Sequence, residues 1–414
     1  DRFDACGSVL LRKDGGKLTE STMKNGQIKS QKKIYRDTNL QIIFAVTLMA
    51  VLGVSSITPA FPMITQELKI SPQAVGLLIT VFTFPGVLLT PFLGILADRL
   101  GRKKILVPSL MLFGIAGGAC AFARDFNLLL ALRLFQGVGA SSLGSLNVTI
   151  ISDLYSGEER ITAIGYNASV LSLGAASYPA IGGALAMIGW HYPFFLSIVA
   201  IPVGFLVLFS LENREPKNEQ HFREYLKNAW QSIKNRRIVG LFVASTLTFI
   251  ILYGSYLTYL PFLIKHSFGA STLVIGLIMA SMSLTTALTS SQLGKLSKVC
   301  SKRTILKSAF ILYALALVIF PLVPTIWALL LPTTIFGIAQ GVNIPSIQTI
   351  LAGLVPMEHR AAFMSVNGMV LRLGQTLGPL LMGIIFALWG MASVFYAGAG
   401  FSIAAFILVV AMIE

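Results

Sequence analysis

The sequence predicts an all-α membrane protein: twelve transmembrane helices arranged as two pseudo-symmetric six-helix bundles. Three observations lead there. Of the 414 residues, 55% are hydrophobic and only 12% charged, with a mean hydropathy of +0.77. A soluble exterior needs more charge than that. Apolar runs of about 20 residues, the length that crosses a ~30 Å hydrocarbon core, recur along nearly the whole chain. A period near 200 residues repeats the first six runs in the last six. Backbone groups in lipid must pair internally, so each run is a helix. The short apolar alternation of a barrel strand is absent.

The elements follow in order. Residues 1–38 are polar and basic and lack the apolar core of a signal peptide. Within them 1–22, ahead of Met23, are expected to be non-native, from upstream translation or an expression remnant; a genuine disordered tail is the alternative. The first bundle, 39–211, holds predicted helices 40–63, 74–97, 105–123, 128–152, 161–187 and 191–211. Residues 212–237 form a charged linker. Phe222, Leu226, Ala229, Trp230 and Ile233 recur there at helical spacing against Arg223, Lys227, Lys234 and Arg236. That pattern reads as a surface helix on the inner leaflet, or as a plain solvated linker. The second bundle, 238–414, holds predicted helices 238–264, 272–293, 308–325, 328–355, 361–388 and 391–413. The chain stops at Glu414 directly after the last of these, where a polar tail is expected.

Charge placement orients the chain. With the N-terminus inside, 27 Lys and Arg fall on the cytoplasmic side and three, Lys69, Arg124 and Lys265, outside; Arg133 and Arg372 alone lie within helices. This positive-inside asymmetry predicts a multi-pass protein of the cytoplasmic (inner) membrane with both termini cytoplasmic. The net charge of +15 is therefore topological, with membrane lipid headgroups as its partner and not nucleic acid. Cys6, Cys120 and Cys300 make no disulfide framework, and four scattered histidines make no metal site. No paired carboxylates, nucleophile arrangement or cofactor loop appears, so neither an enzyme nor a cofactor is expected.

The repeat is read residue by residue. Ser71 and Gly76 recur as Ser271 and Gly276, and Gly94 as Gly294. Asn167, Gly174, Pro179 and Gly183 recur without a gap as Asn367, Gly374, Pro379 and Gly383, and Leu171 and Leu173 as Leu371 and Leu373. Both halves start from the same side. Parallel halves of this kind place a substrate site between them near the midplane and rock around it.

Four stretches carry mechanism. The loop after the second helix contains Gly94, Asp98, Arg99, Gly101, Arg102, Lys103 and Lys104. Gly94 permits close helix approach and Gly101 a turn with positive φ. Asp98 can face a helix N-terminus or a basic partner, while Arg99 and Arg102 can bond carbonyls or carboxylates of a neighbouring loop. Such a cluster can latch the halves shut on one face. The fourth helix carries Arg133, Gln136, Ala140, Gly144 and Asn147 on one face. An arginine inside the membrane meets a cavity or bonds carbonyls of neighbouring helices. The fifth helix carries Gly174, Tyr178, Pro179, Gly182 and Gly183, a bendable and tightly packed seam, and the eleventh keeps the pair Gly378 and Pro379. Arg372 lies 11 residues into the eleventh helix, near the midplane, with Ser365, Gly368, Gln375 and Pro379 on its face and Ser172 as its repeat partner. Its guanidinium contacts substrate or gate, or bonds backbone structurally.

The loop motif from Gly94 to Lys104 resembles the signature of the major facilitator superfamily, and the resemblance covers residues 40–413. The second copy is degenerate, with Lys298 in place of Asp98 and Ser301 in place of Gly101, which implies that the first copy controls the inward gate. Arg133, Gln136, Gly137 and Gly139 resemble the second family signature, whose arginine is associated with proton coupling. The Gly174–Gly183 stretch resembles the exporter signature, with Tyr178 replacing its second glycine, and Thr58–Pro62 is similar to the same branch. The resemblance implies a monomeric twelve-helix drug:proton antiporter with a cavity rich in Phe and Met, a small-molecule substrate and protons as coupling ion.

All 17 Asp and Glu lie in loops, tails or helix ends, with Asp98, Asp153, Glu158 and Glu159 nearest the inner face. A cation exporter would hold a buried acid of raised pKa. Two buried arginines and no buried acid predict a neutral or anionic substrate. The site residues expected are thus Arg133, Gln136 and Asn147 for proton coupling or cavity, and Arg372, Gln375, Asn167 and Asn367 for the substrate cavity. The alternative function is a dedicated carrier for an organic anion, siderophore or lipid-like metabolite.

Overall fold

The computed structural model describes residues 34–212, 235–354 and 360–413. The tail 1–22, the linker helix read from Phe222 to Ile233, and Ser365 as a side chain lie outside the described residues. Twelve helices there are long and apolar enough to cross a membrane, and the described residues contain no strand. We label them α1 (Thr38–Glu67), α2 (Pro72–Leu100), α3 (Arg102–Cys120), α4 (Phe126–Leu154), α5 (Gly157–Ile188) and α6 (Tyr192–Ser210). In the second half come α7 (Arg236–Phe268), α8 (Thr272–Val299), α9 (Lys302–Leu322), α10 (Trp327–Gly353), α11 (Arg360–Trp389) and α12 (Met391–Ile413).

Local chemistry sets the boundaries. Ser71 and Ser271, a repeat pair, cap α2 and α8 by accepting from the backbone N–H of Ala74 and Val274, which satisfies donors a helix start leaves unpaired. Asp125 caps α4 through Asn127 and Leu128. Gly101 carries φ +107° between α2 and α3, so the chain reverses where a side chain would strain it. Several spans are not uniform. α1 tightens to a 3₁₀ turn at Thr58–Ala60, where Pro59 and Pro62 interrupt the bonding ladder. α4 breaks between Ala140 and Leu143. α7 widens to a π-helix over Ile251–Tyr259.

Helices in lipid gain little from apolar burial, so they associate by close packing and hydrogen bonds. Small residues provide that closeness. Gly114, Gly117 and Gly118 of α3 face Ser197, Ile198 and Ile201 of α6. Gly137 of α4 meets the Phe82 carbonyl of α2, and Gly378 of α11 lies 2.9 Å from the Gly254 nitrogen of α7 if given a Cβ. The pairings inside the halves correspond: α1 with α5 and α6, α2 with α4, α3 with α4 and α6; then α7 with α11 and α12, α8 with α10, α9 with α10 and α12. Two further crossings, α5 with α8 and α2 with α11, join the halves.

Lys69, Arg124 and Lys265 mark one end of the bundle; Arg99, Arg102–Lys104, Arg160, Lys295, Lys298 and Lys302 mark the other, here called the basic end.

Candidate functional site

The halves close at the end opposite the basic one. Along α2 and α11, Gly76 faces Pro379, with 3.2 Å from an added Cβ to the proline Cβ. One turn further, the Thr80 hydroxyl donates to the Thr376 carbonyl at 3.1 Å, and Thr83 and Thr376 share a hydroxyl–hydroxyl bond of 2.9 Å. The crossing continues to Gly86, where an added Cβ would stand 3.1 Å from Cδ of Arg372. Along α5 and α8, Gly183 meets the Thr272 carbonyl, which is the residue whose own hydroxyl donates to the Gly183 carbonyl at 2.8 Å. Gly276 meets the Pro179 carbonyl. Gly182, by contrast, packs on the Ser56 carbonyl of α1, inside the first bundle, as Gly174 packs on Leu48.

Beyond Arg372 the halves part. A Cβ on Gly368, the next face position of α11, would meet nothing within 4 Å, and the same holds at the repeat pair Gly94 and Gly294. Gly94 therefore makes no close helix approach in this state, contrary to its sequence reading, because its own face of α2 meets no neighbour. The result is a cleft open toward the basic end, with Arg372 at its inner limit.

Arg372 is half-buried there, with Tyr253 of the π-helical stretch of α7 close enough to interact electrostatically. Among the described residues no hydrogen bond or ion pair reaches its guanidinium. Gln375, one residue short of the Thr376 crossing, has a buried Oε1 without a partner.

Arg133 is placed differently. It is 0% exposed, wholly inside the first bundle. It donates to the Leu78 carbonyl (3.1 Å), the Gly53 carbonyl (2.9 Å) and Oε1 of Gln136 (2.7 Å), and its guanidinium lies 4.2 Å from the Phe82 ring centre. Gln136 in turn donates to Ser197 of α6 at 2.9 Å. Nη2 of Arg133 has no hydrogen-bond partner. The structure does not bring Asn147 to this group: 14 residues of helix separate them by about 21 Å, and Asn147 instead donates to Thr47 of α1 at 2.9 Å. Thr47 also bonds Asn167 of α5 at 2.6 Å. Asn167 and Asn367 do not share one cavity, since each is buried within its own half.

At the basic end Arg102 bonds Asp153 of α4 at 2.7 Å and Asp98 at 3.1 Å, and Lys103 donates to the Leu211 carbonyl at 3.0 Å. All of these lie in the first half. Arg102 is largely buried, whereas the Asp98 side chain is 42% exposed. Tyr155 follows α4 beside Asp37, Glu159 and Glu212; burial and these acids hold its phenol well above the usual range.

Sequence reasoning missed the threonine crossing of α2 and α11 and the hydrogen bond that Thr248 of α7 donates to Oδ1 of Asn343 of α10 at 3.1 Å. Thr80 and Thr83 with Thr376 offered only neutral hydroxyls in an apolar run. Asn343 of α10 was legible as a mid-span amide but had no motif around it.

Comparison with known proteins completes the picture. The model of the Major Facilitator Superfamily matches residues 43–269 and 260–414. The chain is 24% identical over 354 residues to "Multidrug resistance protein 1" of Bacillus subtilis (strain 168), covering 85% of this chain and 90% of that one. It is 25% identical over 356 residues to the "Bacillibactin exporter" of the same organism, covering 82% and 88%. Its fold matches the crystal structure of the nucleoside transporter NupG with a TM-score of 0.76 at 16% identity, over 91% of this chain and 99% of that one.

Proposed function

Since the chain belongs to the Major Facilitator Superfamily, we propose that it is a proton-coupled exporter of small lipophilic, neutral or weakly anionic compounds, working by alternating access. The protein is a membrane transporter and not an enzyme. In this reading the basic end is cytoplasmic, by the positive-inside rule, and the protein lies in the cytoplasmic membrane as a monomer with both termini inside. The two halves, 39–211 and 238–414, are the rocking bodies, and 212–237 tethers them on the cytoplasmic side. A cleft open to that side is the loading state of an exporter.

The observation that carries the substrate class is Arg372: a guanidinium at the inner limit of the cleft, with no carboxylate partner among the described residues. A cationic substrate would meet an uncompensated like charge there, at a depth where water screens poorly. An anionic or polar neutral compound would supply what the guanidinium lacks. The names of relatives, a multidrug resistance protein and a bacillibactin exporter at 24% and 25% identity, support outward transport.

The test is efflux of a panel of cationic, neutral and anionic dyes and antibiotics from cells expressing residues 23–414, with and without a protonophore. Protonophore-sensitive efflux of several neutral or anionic members is expected. Good transport of a permanent cation such as ethidium overturns the charge preference. Failure of every member, with the protein in the membrane, favours the second reading, a dedicated carrier for one organic anion, siderophore or lipid-like metabolite, for which the bacillibactin exporter stands as the relevant relative.

A further inference from the structure

Arg372 does not stand alone at the inner limit of the cleft. Beside it α7 packs closely on α11: a Cβ on Gly374, two residues beyond the arginine, would stand 2.8 Å from Cβ of Phe249, and one turn further Gly378 meets Gly254. Between Phe249 and Gly254 in this crossing comes Tyr253, within the π-helical stretch Ile251–Tyr259. Such widened turns inside helices recur at functional sites. The Tyr253 ring lies against Phe249, with centroids 5.9 Å apart and planes 30° from parallel. Tyr253 is half-buried, as Arg372 is, and the two are close enough to interact electrostatically.

The phenol of Tyr253 is not used by the protein itself. Thr258 donates to the Tyr253 carbonyl at 2.6 Å, but among the described residues no hydrogen bond reaches the Tyr253 hydroxyl. Other interior tyrosines of the second half differ. Tyr256 donates to the Met279 carbonyl at 3.3 Å, and Tyr313 donates to Oε1 of Gln340. Tyr259 has an unpartnered hydroxyl, but it is 0% exposed and stacks on Phe386, so nothing in the cleft reaches it. A guanidinium has donors only, and a phenol near it turns its lone pairs toward the cation and its O–H away. Two donors therefore lie near one another with no acceptor of the protein's own. A carboxylate supplies acceptor sites on two oxygens, and its charge-assisted bonds are the strong ones. The half-buried Tyr253 ring also extends the stack begun at Phe249, where a further aromatic ring packs favourably.

We propose that Tyr253 is a specificity-determining residue whose phenol joins the Arg372 guanidinium in holding the carboxylate of an aromatic acid, while its ring packs on the ring of that acid. The inference deepens the exporter reading and rests on it for its place in transport, but the contact itself is tested by binding alone. It narrows the weakly anionic substrates to aryl carboxylates. The hydroxyl serves the charged group and the ring serves the apolar part, so the two contributions separate by substitution.

The experiment uses the purified full chain in lipid nanodiscs, empty nanodiscs as the blank, and two probes of equal ring, 1-naphthoate and the uncharged 1-naphthylmethanol. Calorimetric titration should show the carboxylate binding roughly tenfold more tightly. Tyr253→Phe, which keeps the ring and its packing on Phe249, should weaken the carboxylate by roughly fivefold and the alcohol by less than about twofold, with the melting temperature unchanged. Arg372→Gln should also weaken the carboxylate, and adding Tyr253→Phe to it should cost less than about twofold more, since both donors hold one group. Tyr253→Leu should weaken both probes. Equal binding of the two probes, no binding of the carboxylate, or a carboxylate affinity that Tyr253→Phe leaves unchanged overturns the proposal. Equal weakening of both probes by Tyr253→Phe also overturns it, by assigning the residue to packing. Loss of carboxylate selectivity in Tyr253→Phe, without efflux of any panel compound by the unmodified protein, would sink the exporter reading alone. Efflux of the panel with both probes bound equally would sink the aryl carboxylate contact alone.

Discussion

Gly276 of α8 lies against the Pro179 carbonyl of α5, and 200 residues earlier and later the relationship repeats with partners exchanged: Gly76 of α2 lies against Pro379 of α11. Each proline leaves its helix continuous, and each glycine lets the other half's backbone come within contact. The two crossings are the pseudo-symmetric closure of one end of the molecule.

Gly276→Val places branched carbons where the Pro179 carbonyl stands, and this neighbour is backbone that cannot swing away. The variant should shift the population toward the state open at the non-basic end. With the native cysteines replaced by serine, Leu273→Cys should react with an impermeant maleimide from that side roughly tenfold faster in the Gly276→Val background. An unchanged rate would show that the crossing yields without opening.

Arg372→Gln should lower efflux of anionic and hydrogen-bonding neutral substrates by roughly tenfold, as expected for loss of one charge-assisted contact. Arg372→Lys should keep a good part of it if charge is what matters. Equal loss in both variants would point to the planar guanidinium packing against Gly86, and kinetics of efflux at several substrate concentrations separate the cases.

Arg133→Ala orphans the Gly53 and Leu78 carbonyls and Gln136 inside a sealed bundle, and should destabilise the fold by about 3 kcal/mol or more. Thermal unfolding in detergent checks this. Arg133→Lys retains the charge but lacks the fork that reaches both carbonyls, so its melting temperature should also fall. A lysine variant with unchanged melting and a displaced pH profile of transport would instead assign the residue to proton coupling.

Asp98→Asn should leave thermal stability nearly unchanged, since among the described residues its exposed carboxylate meets only Arg102, and such pairs contribute about 0–1 kcal/mol. Asp153→Asn should lower stability more, because its partner Arg102 is largely buried and would keep only the exposed Asp98. If both variants slow efflux while only the second loses stability, Asp98 acts in the opposite state, against the other half.

Much of this architecture was legible from residues in order. Predicted helix 74–97 became Pro72–Leu100, and 391–413 became Met391–Ile413, because lipid allows no other structure for apolar runs of that length. The predicted positive φ at Gly101 is present. Irregularities inside the spans were not legible: the π-helical stretch of α7 has an ordinary apolar sequence, and only the packed structure shows Gly254 within it against Gly378 of α11.

Sequence alone determined the class, the count of spans, the asymmetry of charge and the 200-residue repeat, since each follows from composition or from spacing along one helix. Tertiary structure alone decided which neighbour each helical face meets. A period of 3.6 residues tells that Arg133 and Arg372 both avoid lipid, but not that one closes on carbonyls of its own bundle while the other stands at the inner limit of the cleft between two. Those outcomes depend on contacts between residues 55 or more apart in the chain, which are formed only when whole helices pack.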